Sequence, residues 1–338
     1  GISYWENGKK EYDGEWKDDK RNGKGIVYYE HSGNKWYDGE WKDDKWNGKG
    51  ISFDDGKKTY EGEWKDDMRN GKGIQYNYDG NKKYDGEWKD DKWNGKGISY
   101  FDSGNVIHKK SYDGEWKNGS KSGKGISYNR YNGKKAYDGE WKYNTYDGKG
   151  ISYFDFGNGN KKYDGEWKDG RRNGKGIEYK DDGDKLYDGE WKNGSRNGKG
   201  IEYIWQNRYY DGEWKDDKRN GKGISYWENG NKWYDGEWKY NTYDGKGISY
   251  WENGKKEYDG EWKDGVRNGK GIEYYEHSGK KCKDGEWKNG KMNGNGIAYM
   301  WGHKLYDGEW KDDKWNGKGI EYNSGNGKKE YELSLIHI

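Results

Sequence analysis

One short phrase recurs along the whole chain and restricts the folds it can adopt. Tyr12-Asp-Gly-Glu-Trp-Lys17 is its first complete copy, and the Gly-Glu-Trp-Lys core occurs thirteen times. An Ile follows ten residues after each of these Trp residues, whereas the distance between successive Trp residues varies from 23 to 28. A constant half and a variable half indicate one rigid hairpin per repeat, joined by turns that tolerate insertion. The repeated Trp residues are Trp16, Trp41, Trp64, Trp88, Trp116, Trp141, Trp167, Trp191, Trp214, Trp238, Trp262, Trp287 and Trp310.

The composition favours a folded chain with an aromatic framework. Only 28% of the residues are hydrophobic and 38% are charged, which alone is typical of disorder. However, 18% are aromatic at a regular period, and 65 basic against 63 acidic residues leave a net charge of +2. The 60 Gly, the absence of Pro and the lack of a helix-length apolar stripe favour strands and tight turns. We therefore predict an all-β fold, and no run reaches the roughly 18 apolar residues of a membrane helix.

Each repeat begins with a strand whose side chains alternate between two faces. Tyr12, Gly14 and Trp16 lie on one face and Asp13 and Glu15 on the other. Gly weakens a strand interior, so its recurrence between Tyr and Trp needs a reason. We interpret it as a packing gap for an aromatic ring of a neighbouring strand, with close approach of a ligand as the alternative.

A loop and a second strand complete the repeat. We predict that residues 18–24, which contain Asn-Gly, form the loop that reverses the chain. Ile26 and Tyr28 share a face of the second strand, and we expect them on the same surface as the Tyr, Gly and Trp of the first strand. Short turns between repeats are predicted to be type I′ at Asn7-Gly8, Asp55-Gly56, Asp79-Gly80, Asn229-Gly230 and Asn253-Gly254.

The repeats form one array over residues 1–332, which begins part-way through a repeat. Residues 333–338 differ from the repeats and resemble a translated sequencing-adaptor sequence, so we expect a non-native tail and a piece of a longer protein. The one cysteine, Cys282, cannot form an internal disulfide, so no oxidising compartment is required. We expect a cytoplasmic protein, with a location at the periphery of a membrane or of the cytoskeleton as the alternative.

The pattern Tyr-x-Gly-x-Trp, followed by Gly-x-Gly-Ile and another aromatic residue, resembles the MORN (membrane occupation and recognition nexus) repeat. The resemblance implies an elongated single-layer antiparallel sheet of about thirteen stacked hairpins, a twisted ribbon or rod. It further implies a scaffold for protein interaction, dimerisation, or attachment to acidic membranes or the cytoskeleton, or the targeting array of a larger enzyme such as a phosphatidylinositol-phosphate kinase. Residues 4–10 and 250–256 are also similar to bacterial antitoxin-like repeat proteins. Lys283 departs from the pattern in place of Tyr, and we expect weaker packing there.

No motif has the spacing of a catalytic or metal site. None of His31, His108, His277, His303 and His337 lies near a Cys or a second His at metal-ligand spacing. The Asp-Gly-Glu triplet recurs along the array, which favours solvated charge ladders over one tuned acid-base pair. We expect a non-enzymatic chain with no cofactor, metal or small-molecule substrate.

The residue before the loop Asn-Gly, or its counterpart, carries the informative variation. If every repeat turns the same way, these side chains form a line along one edge of the sheet, with Lys24 and its equivalents beside them. Arg and Trp at such an edge suit a protein partner, a second copy, or an acidic phospholipid surface, and the alternative is a solvated edge. The equal acid content argues against nucleic acid. The candidate residues are Arg21, Trp46, Arg69, Trp93, Arg172, Arg196, Arg219, Arg267 and Trp315, with Lys121, Tyr146, Tyr243 and Met292 at the same position in the other repeats.

Overall fold

The computed structural model describes residues 1–102, 109–155 and 159–335, and its regular elements in these ranges are all β-strands. The chain divides into two units, Gly1–Arg171 and Arg172–Ile338. The first unit contains β1 (Ile2–Tyr4), β2 (Lys10–Lys17), β3 (Lys20–Tyr28), β4 (Lys35–Lys42), β5 (Lys45–Asp54), β6 (Lys57–Lys65), β7 (Met68–Tyr76), β8 (Lys82–Lys89), β9 (Lys92–Tyr100), β10 (Lys110–Lys117), β11 (Ser120–Tyr128), β12 (Lys135–Lys142), β13 (Thr145–Tyr153) and β14 (Lys161–Lys168). The second contains β15 (Arg171–Tyr179), whose first residue belongs to the first unit, β16 (Lys185–Lys192), β17 (Ser195–Ile204), β18 (Asn207–Lys215), β19 (Lys218–Tyr226), β20 (Lys232–Lys239), β21 (Thr242–Tyr250), β22 (Lys256–Lys263), β23 (Val266–Tyr274), β24 (Lys281–Lys288), β25 (Lys291–Met300), β26 (His303–Lys311), β27 (Lys314–Tyr322) and β28 (Lys329–Leu335).

Consecutive strands pair antiparallel within each unit, from β1 to β14 and from β15 to β28. The prediction of an all-β array of sequential antiparallel hairpins is confirmed in both units. β28 pairs with β27 and extends past residue 332, where we placed the end of the array. The origin of the tail stays a prediction, and residues 336–338 lie outside the described residues.

A two-residue turn closes each hairpin, earlier in the repeat than the predicted loop. In the first hairpin this turn is Asp18-Asp19, with φ angles of 49° and 60°. Positive φ at both central residues is what a type I′ turn requires, and its twist matches that of the flanking strands. The prediction that residues 18–24 form the loop was wrong, because residues 20–24 belong to β3.

The Asn-Gly pair of each repeat, or its Ser-Gly or Asp-Gly counterpart, forms a β-bulge inside the second strand. The register changes so that residues 21–25 lie opposite residues 14–16. Gly23 has a φ of 78°, and a Cβ on it would lie 2.5 Å from a carboxylate oxygen of Glu15. This carboxylate also accepts a hydrogen bond from the backbone N–H of Lys24 at 3.2 Å. Backbone conformation and lack of space therefore both require Gly at the bulge.

The turns between repeats vary in length. Asp55-Gly56 forms the predicted type I′ turn, with φ angles of 45° and 77°. At Asn7, Asp79, Asn229 and Asn253 the prediction was wrong, because these residues do not have positive φ and only the following Gly does. Longer connections need one residue of positive φ at their end, whereas a two-residue hairpin turn needs two.

Cross-strand pairing assigns each residue of a repeat to one face of the sheet. Asp13 pairs with Ile26, and Tyr12 pairs with Val27. Directly opposed residues point to the same side, so Ile26 lies with Asp13, away from Tyr12. The expectation that Ile26 and Tyr28 share the surface of Tyr12 was therefore wrong. The prediction failed because the loop was misplaced, so the register between the two strands was not known. A change of one residue in that register moves every side chain of a strand to the other face.

We call the side that carries Tyr12 and Trp41 the aromatic face and the side that carries Ile26 and Tyr28 the charged face. On the charged face a Lys–Asp or Lys–Glu pair recurs three residues apart, as in Lys10 and Asp13 at 2.8 Å. Such exposed pairs contribute little to stability. Ile26 and Tyr28 are half-buried among them.

Buried Tyr rings occupy the centre of the aromatic face. Tyr37 is fully buried, and its hydroxyl donates a hydrogen bond to the backbone carbonyl of Glu40 at 3.1 Å. The ring covers the facing pair Gly39 and Gly50, and a Cβ on Gly50 would lie 2.1 Å from the hydroxyl. The strand Gly is a packing gap, as interpreted, but the expectation of a ring from a neighbouring strand was wrong, because the ring belongs to the Tyr two residues earlier in the same strand. The other fully buried framework Tyr residues are Tyr12, Tyr60, Tyr84, Tyr112, Tyr137, Tyr163, Tyr187, Tyr210, Tyr234, Tyr258 and Tyr306.

Each framework Trp connects its repeat to the one before. The Nε1 of Trp41 donates to the carbonyl of Gly25 at 3.0 Å, and its ring meets Tyr12 and Tyr37 edge-on, both at 5.4 Å. The same contact to a Gly carbonyl, at 2.8–3.1 Å, recurs from Trp64 to Trp310. Trp16 has the carbonyl of Gly1 as its acceptor and is 42% exposed.

The repeat that lacks the framework Tyr is repacked. Lys283 stands in place of Tyr, and its ammonium pairs with Asp313 at 3.2 Å. Met292 is fully buried, and its terminal methyl occupies the space over Gly296 that a Tyr ring fills elsewhere. A flexible apolar side chain in the same hairpin therefore fills the space that the Tyr leaves, and the expected weakening at Lys283 stays a prediction.

Candidate functional site

The predicted binding residues lie inside the second strand of each hairpin, on the aromatic face. Arg21 pairs with Trp16, and Trp46 pairs with Trp41, so their side chains point to the side of the core. We call these positions the outer row. It consists of Arg21, Trp46, Arg69, Trp93, Lys121 and Tyr146 in the first unit and of Arg172, Arg196, Arg219, Tyr243, Arg267, Met292 and Trp315 in the second.

The expected line along an edge of the sheet was wrong in its placement. The outer row follows the turn by two residues and is already in a strand, because Asp18-Asp19 and not Asn22-Gly23 reverses the chain. Lys24, expected beside Arg21, faces Glu40 on the charged face. The binding role of the outer row stays a prediction.

Flat side chains in the outer row stack on the buried Tyr rings. Trp46 lies parallel to Tyr37, with ring centroids 4.3 Å apart and planes inclined by 5°. Tyr146 stacks on Tyr137 in the same way at 3.8 Å. The outer-row rings are only half-buried, so they form the outermost layer of the aromatic face. The sequence signal for this layer was the recurrence of Arg, Trp and Tyr, which share a planar end group.

Arg in the outer row of the first unit lies on an indole and pairs with the next turn. The guanidinium carbon of Arg69 lies 4.2 Å from the ring centroid of Trp88. Its Nε donates to a carboxylate oxygen of Asp91, the second turn residue of the next hairpin, at 2.9 Å. The same oxygen accepts the backbone N–H of Arg69 at 3.0 Å. Arg21 repeats this arrangement with Trp41 and Asp44. The carboxylate therefore joins successive hairpins and neutralises the stacked cation.

Arg in the second unit pairs instead with Glu in the same layer. Glu178 lies 2.6 Å from Arg172 and 3.3 Å from Arg196, and Glu202 lies 2.9 Å from both Arg196 and Arg219. These side chains are only 14–19% exposed. The acidic partners are the residues that follow the framework Ile, where the first unit has Ser52, Ser99, Ser127 and Ser152 among others.

Two partly exposed aromatic clusters occur at matching positions in the two units. Trp36 lies between Tyr29 and Trp46, at 5.6 and 5.4 Å. In the second unit Trp233 lies 5.2 Å from Trp227 and 6.5 Å from Tyr243. Trp36 is 44% exposed. Trp36 and Trp233 were not among the predicted residues, because a bulge before the framework Tyr turns the preceding residue to the aromatic face.

Two aromatic cavities lie beside turns between repeats in the second unit. One has a volume of about 520 Å³ and is lined by Trp205, Tyr209 and Trp233, among others. The other, of about 500 Å³, includes Tyr275 and Trp301.

The described residues contain no group of three or more His, Cys, Asp and Glu side chains arranged to hold a metal ion. His31, His277 and His303 lie in or beside turns, and His108 and His337 lie outside the described residues. Within the described ranges, no helix is long and apolar enough to cross a membrane.

Comparison with known families decides the repeat type. The model of the MORN repeat matches the chain in thirteen segments: residues 12–30, 37–58, 60–82, 84–106, 112–128, 137–159, 163–185, 187–205, 210–232, 234–256, 258–276, 284–299 and 306–327. The chain belongs to the MORN repeat family. MORN repeats are a repeat type of protein- and membrane-binding scaffolds, and the matched segments correspond to the hairpins described above. None of the curated proteins compared with the chain matches it.

Proposed function

We propose that this MORN repeat chain is a non-catalytic scaffold whose aromatic faces bind a protein partner, which is either another protein or a second copy of the chain. The observation that carries the proposal is the pair of aromatic clusters around Trp36 and Trp233. Each presents half-exposed rings on a rigid sheet, and they take the same repeat positions in both units. Protein interfaces are enriched in such Trp, Tyr and Arg anchors, and binding energy concentrates on them.

The fixed positions of the outer-row side chains support the proposal, in addition to their residue types. The outer-row rings are held by stacking on buried Tyr residues, so little side-chain freedom is lost when a partner covers them. Exposed indole area on a single-layer sheet is also the kind of surface that a partner covers in complexes.

A displayed library of random peptides, selected against the folded chain, tests the proposal. We expect selected peptides to lose binding when Trp36 or Trp233 is replaced by Ser, because both rings are contact residues. The fold tolerates a small polar residue there, since Thr59 and Ser111 take the same repeat position. Tyr100→Ser on the charged face is the matched control, and thermal denaturation verifies that each variant is folded.

Binders that depend on the charged face, or a failure to select any, would contradict the proposal. Sedimentation of the chain over a range of concentrations distinguishes a second copy from another protein as the partner. In the first case the self-association constant, and not only peptide binding, decreases in Trp36→Ser and Trp233→Ser.

Attachment to an acidic membrane is the alternative proposal, and it has weaker support. Arg21 and Arg69, expected to contact lipid, already pair with Asp44 and Asp91. Flotation with vesicles that contain phosphatidylinositol phosphates tests this alternative. If the chain does not float with these vesicles at low salt, the membrane proposal is rejected. Whether the array targets an enzyme is tested by the full-length reading frame, in which a catalytic domain would support that proposal.

A further inference from the structure

One cation of the outer row differs from all the others. Arg21, Arg69, Arg196, Arg219 and Arg267 each form an ion pair with a carboxylate of the chain, as does Arg172. Lys121 forms no ion pair with any described residue. Residues 103–108, 156–158 and 336–338, which lie outside the description, contain no Asp or Glu.

The reason is visible in the three positions that supply carboxylates elsewhere. The second turn residue of the next hairpin is Asp44 for Arg21 but Asn144 for Lys121. Asn144 keeps the hydrogen bond to the backbone N–H of Lys121, at 2.8 Å, but brings no charge. The residue after the framework Ile, which is Glu in the ladder of the second unit, is Ser127. The residue before the framework Tyr, which is Glu257 for Arg267, is Ser111, so none of the three positions gives this cation a carboxylate.

The surroundings of Lys121 hold its ammonium in place. The Nζ lies 5.0 Å from the ring centroid of Tyr112 and 4.8 Å from that of Trp141. Trp93 and Tyr146, the outer-row neighbours, flank it one repeat to either side. Burial lowers the pKa of Lys121, which indicates that the cation is poorly solvated where it lies.

Serine residues occupy the positions from which Glu side chains pair with Arg196 in the second unit. Ser127 is buried on the same face, and the hydroxyls of Ser99 and Ser111 are 2.7 Å apart one repeat earlier. Ala136, next along this part of the face, is the smallest residue at its repeat position, which holds Trp36 and Trp233 elsewhere. The result is one positive charge against two aromatic side chains, with Ser99 and Ser127 at the positions that hold Glu178 and Glu202 beside Arg196.

We infer that Lys121 is the anchor point for the carboxylate of an Asp or Glu side chain of a protein partner that lies across the aromatic face of the first unit. The inference rests on the proposed function and specifies the chemistry of the partner. A carboxylate is favoured because carboxylates of this chain fill the equivalent place beside the outer-row Arg residues. A single ammonium matches one negative charge, whereas a phosphate dianion would need a second cation.

The experiment uses the full chain with its lysines labelled by carbon-13 at Cε and the Lys121 signal assigned through Lys121→Met. The probe is an acetylated and amidated Gly-Glu-Gly tripeptide. We expect a saturable shift of the Lys121 signal and an increase in its pKa, because the carboxylate stabilises the charged form. The corresponding Gln tripeptide should cause neither, and Lys149, exposed on the charged face, should not respond.

Asn144→Asp is the decisive variant, because it restores the carboxylate that Arg21 and Arg69 already have. We expect this variant to fold and to have a raised pKa of Lys121 in the absence of peptide. Its affinity for the Glu tripeptide should be at least about tenfold lower, because the new Asp carboxylate competes for the ammonium. Thermal denaturation should show no loss of stability. Equal affinity in the wild type and in folded Asn144→Asp would overturn the inference.

Two further outcomes also overturn it. The first is the absence of a saturable shift in the folded wild type, and the second is tighter binding of inorganic phosphate than of the Glu tripeptide. Failure here is distinct from failure of the proposed function. Library peptides that need Trp36 but not Lys121 would leave the scaffold proposal standing, whereas a response of Lys121 without any such peptides would leave only the carboxylate site.

Discussion

Replacement of Gly223 by Ala tests whether the buried Tyr rings need the Gly gap beneath them. A Cβ added at this position would lie 2.2 Å from the hydroxyl and 2.4 Å from the Cζ of Tyr210. The ring must therefore move. It is held by a hydrogen bond to the carbonyl of Glu213 at 3.1 Å and by edge-on contacts with Trp214 and Trp238, both at 5.2 Å.

The expected cost follows from these contacts. Overpacking of a rigid site costs about 1–3 kcal/mol. Loss of the Tyr hydrogen bond adds about 1 kcal/mol, and weakening of the ring contacts adds about 1 kcal/mol. Ala restricts the unfolded chain more than Gly does, which offsets about 0.4–1 kcal/mol of this loss of stability. We expect Gly223→Ala to destabilise its hairpin by about 2–5 kcal/mol.

Gly296→Ala is the matched control in the same unit. There the nearest atom to an added Cβ is the terminal methyl of Met292, at 2.2 Å, because Lys283 replaces the Tyr. A methyl at the end of a flexible side chain can move at little cost, so we expect less than about 1 kcal/mol. Copying this arrangement by adding Tyr210→Lys and Arg219→Met should rescue much of the Gly223→Ala loss.

Native-state hydrogen exchange of the backbone amides of β18, β19, β24 and β25 is the suitable assay. Repeat arrays open in parts, so one global free energy of unfolding does not describe them. Equal losses of protection in Gly223→Ala and Gly296→Ala, or no loss in Gly223→Ala, would refute the explanation based on the Tyr ring.

Three further predictions concern the links between repeats. Trp238→Phe removes the hydrogen bond to the carbonyl of Gly223. Hydrogen exchange should show that the protection of the backbone amides of β19 and β20 decreases by about 1–2 kcal/mol. Trp205→Phe, at an exposed position, is the control and should leave the protection unchanged. Burial raises the pKa of Tyr234 and its equivalents above the ordinary value near 10. As the pH rises, the unfolded state therefore loses these protons before the folded state does. The free energy of unfolding should be unaffected at lower pH and should decrease above about pH 10. Tyrosinate absorbance should then increase together with the loss of circular dichroism, and titration of these residues in a still-folded chain would contradict it. Arg196→Met leaves Glu178 and Glu202 with one cation each. We expect hydrogen exchange to show a loss of stability of about 1–3 kcal/mol, which becomes smaller in high salt. Lys185→Met removes an exposed ion pair on the charged face and should cost well below about 1 kcal/mol.

The sequence predicted the parts of the fold that depend on short-range periodicity. The spacing of Tyr12, Gly14 and Trp16 indicated a strand and a packing gap, and both are present. The hairpin turn was misplaced because Asn22-Gly23 is the stronger turn signal, whereas Asp18-Asp19 adopts positive φ only under the constraint of the paired strands.

The candidate site was predicted by residue type but not by place. Arg21 and Trp46 were selected as large side chains at one repeat position, and that position is one row in each unit. Its face could not be predicted, because a bulge changes the count of residues between Trp16 and Gly25 without leaving a signal as clear as a turn. For the same reason Trp36, one residue before a bulge-shifted Tyr, was not recognised as an exposed contact.

The indole-to-glycine link described for Trp41 has a consequence for how such chains change in length. Every repeat offers the next one the same acceptor and receives the same donor, so a whole hairpin can be inserted or removed and the contacts on either side re-form between new neighbours. A deletion of half a repeat would instead leave an indole without its acceptor. Growth and loss of material in this protein should therefore occur in complete modules, and libraries that shuffle whole hairpins should yield folded variants more often than those cut elsewhere.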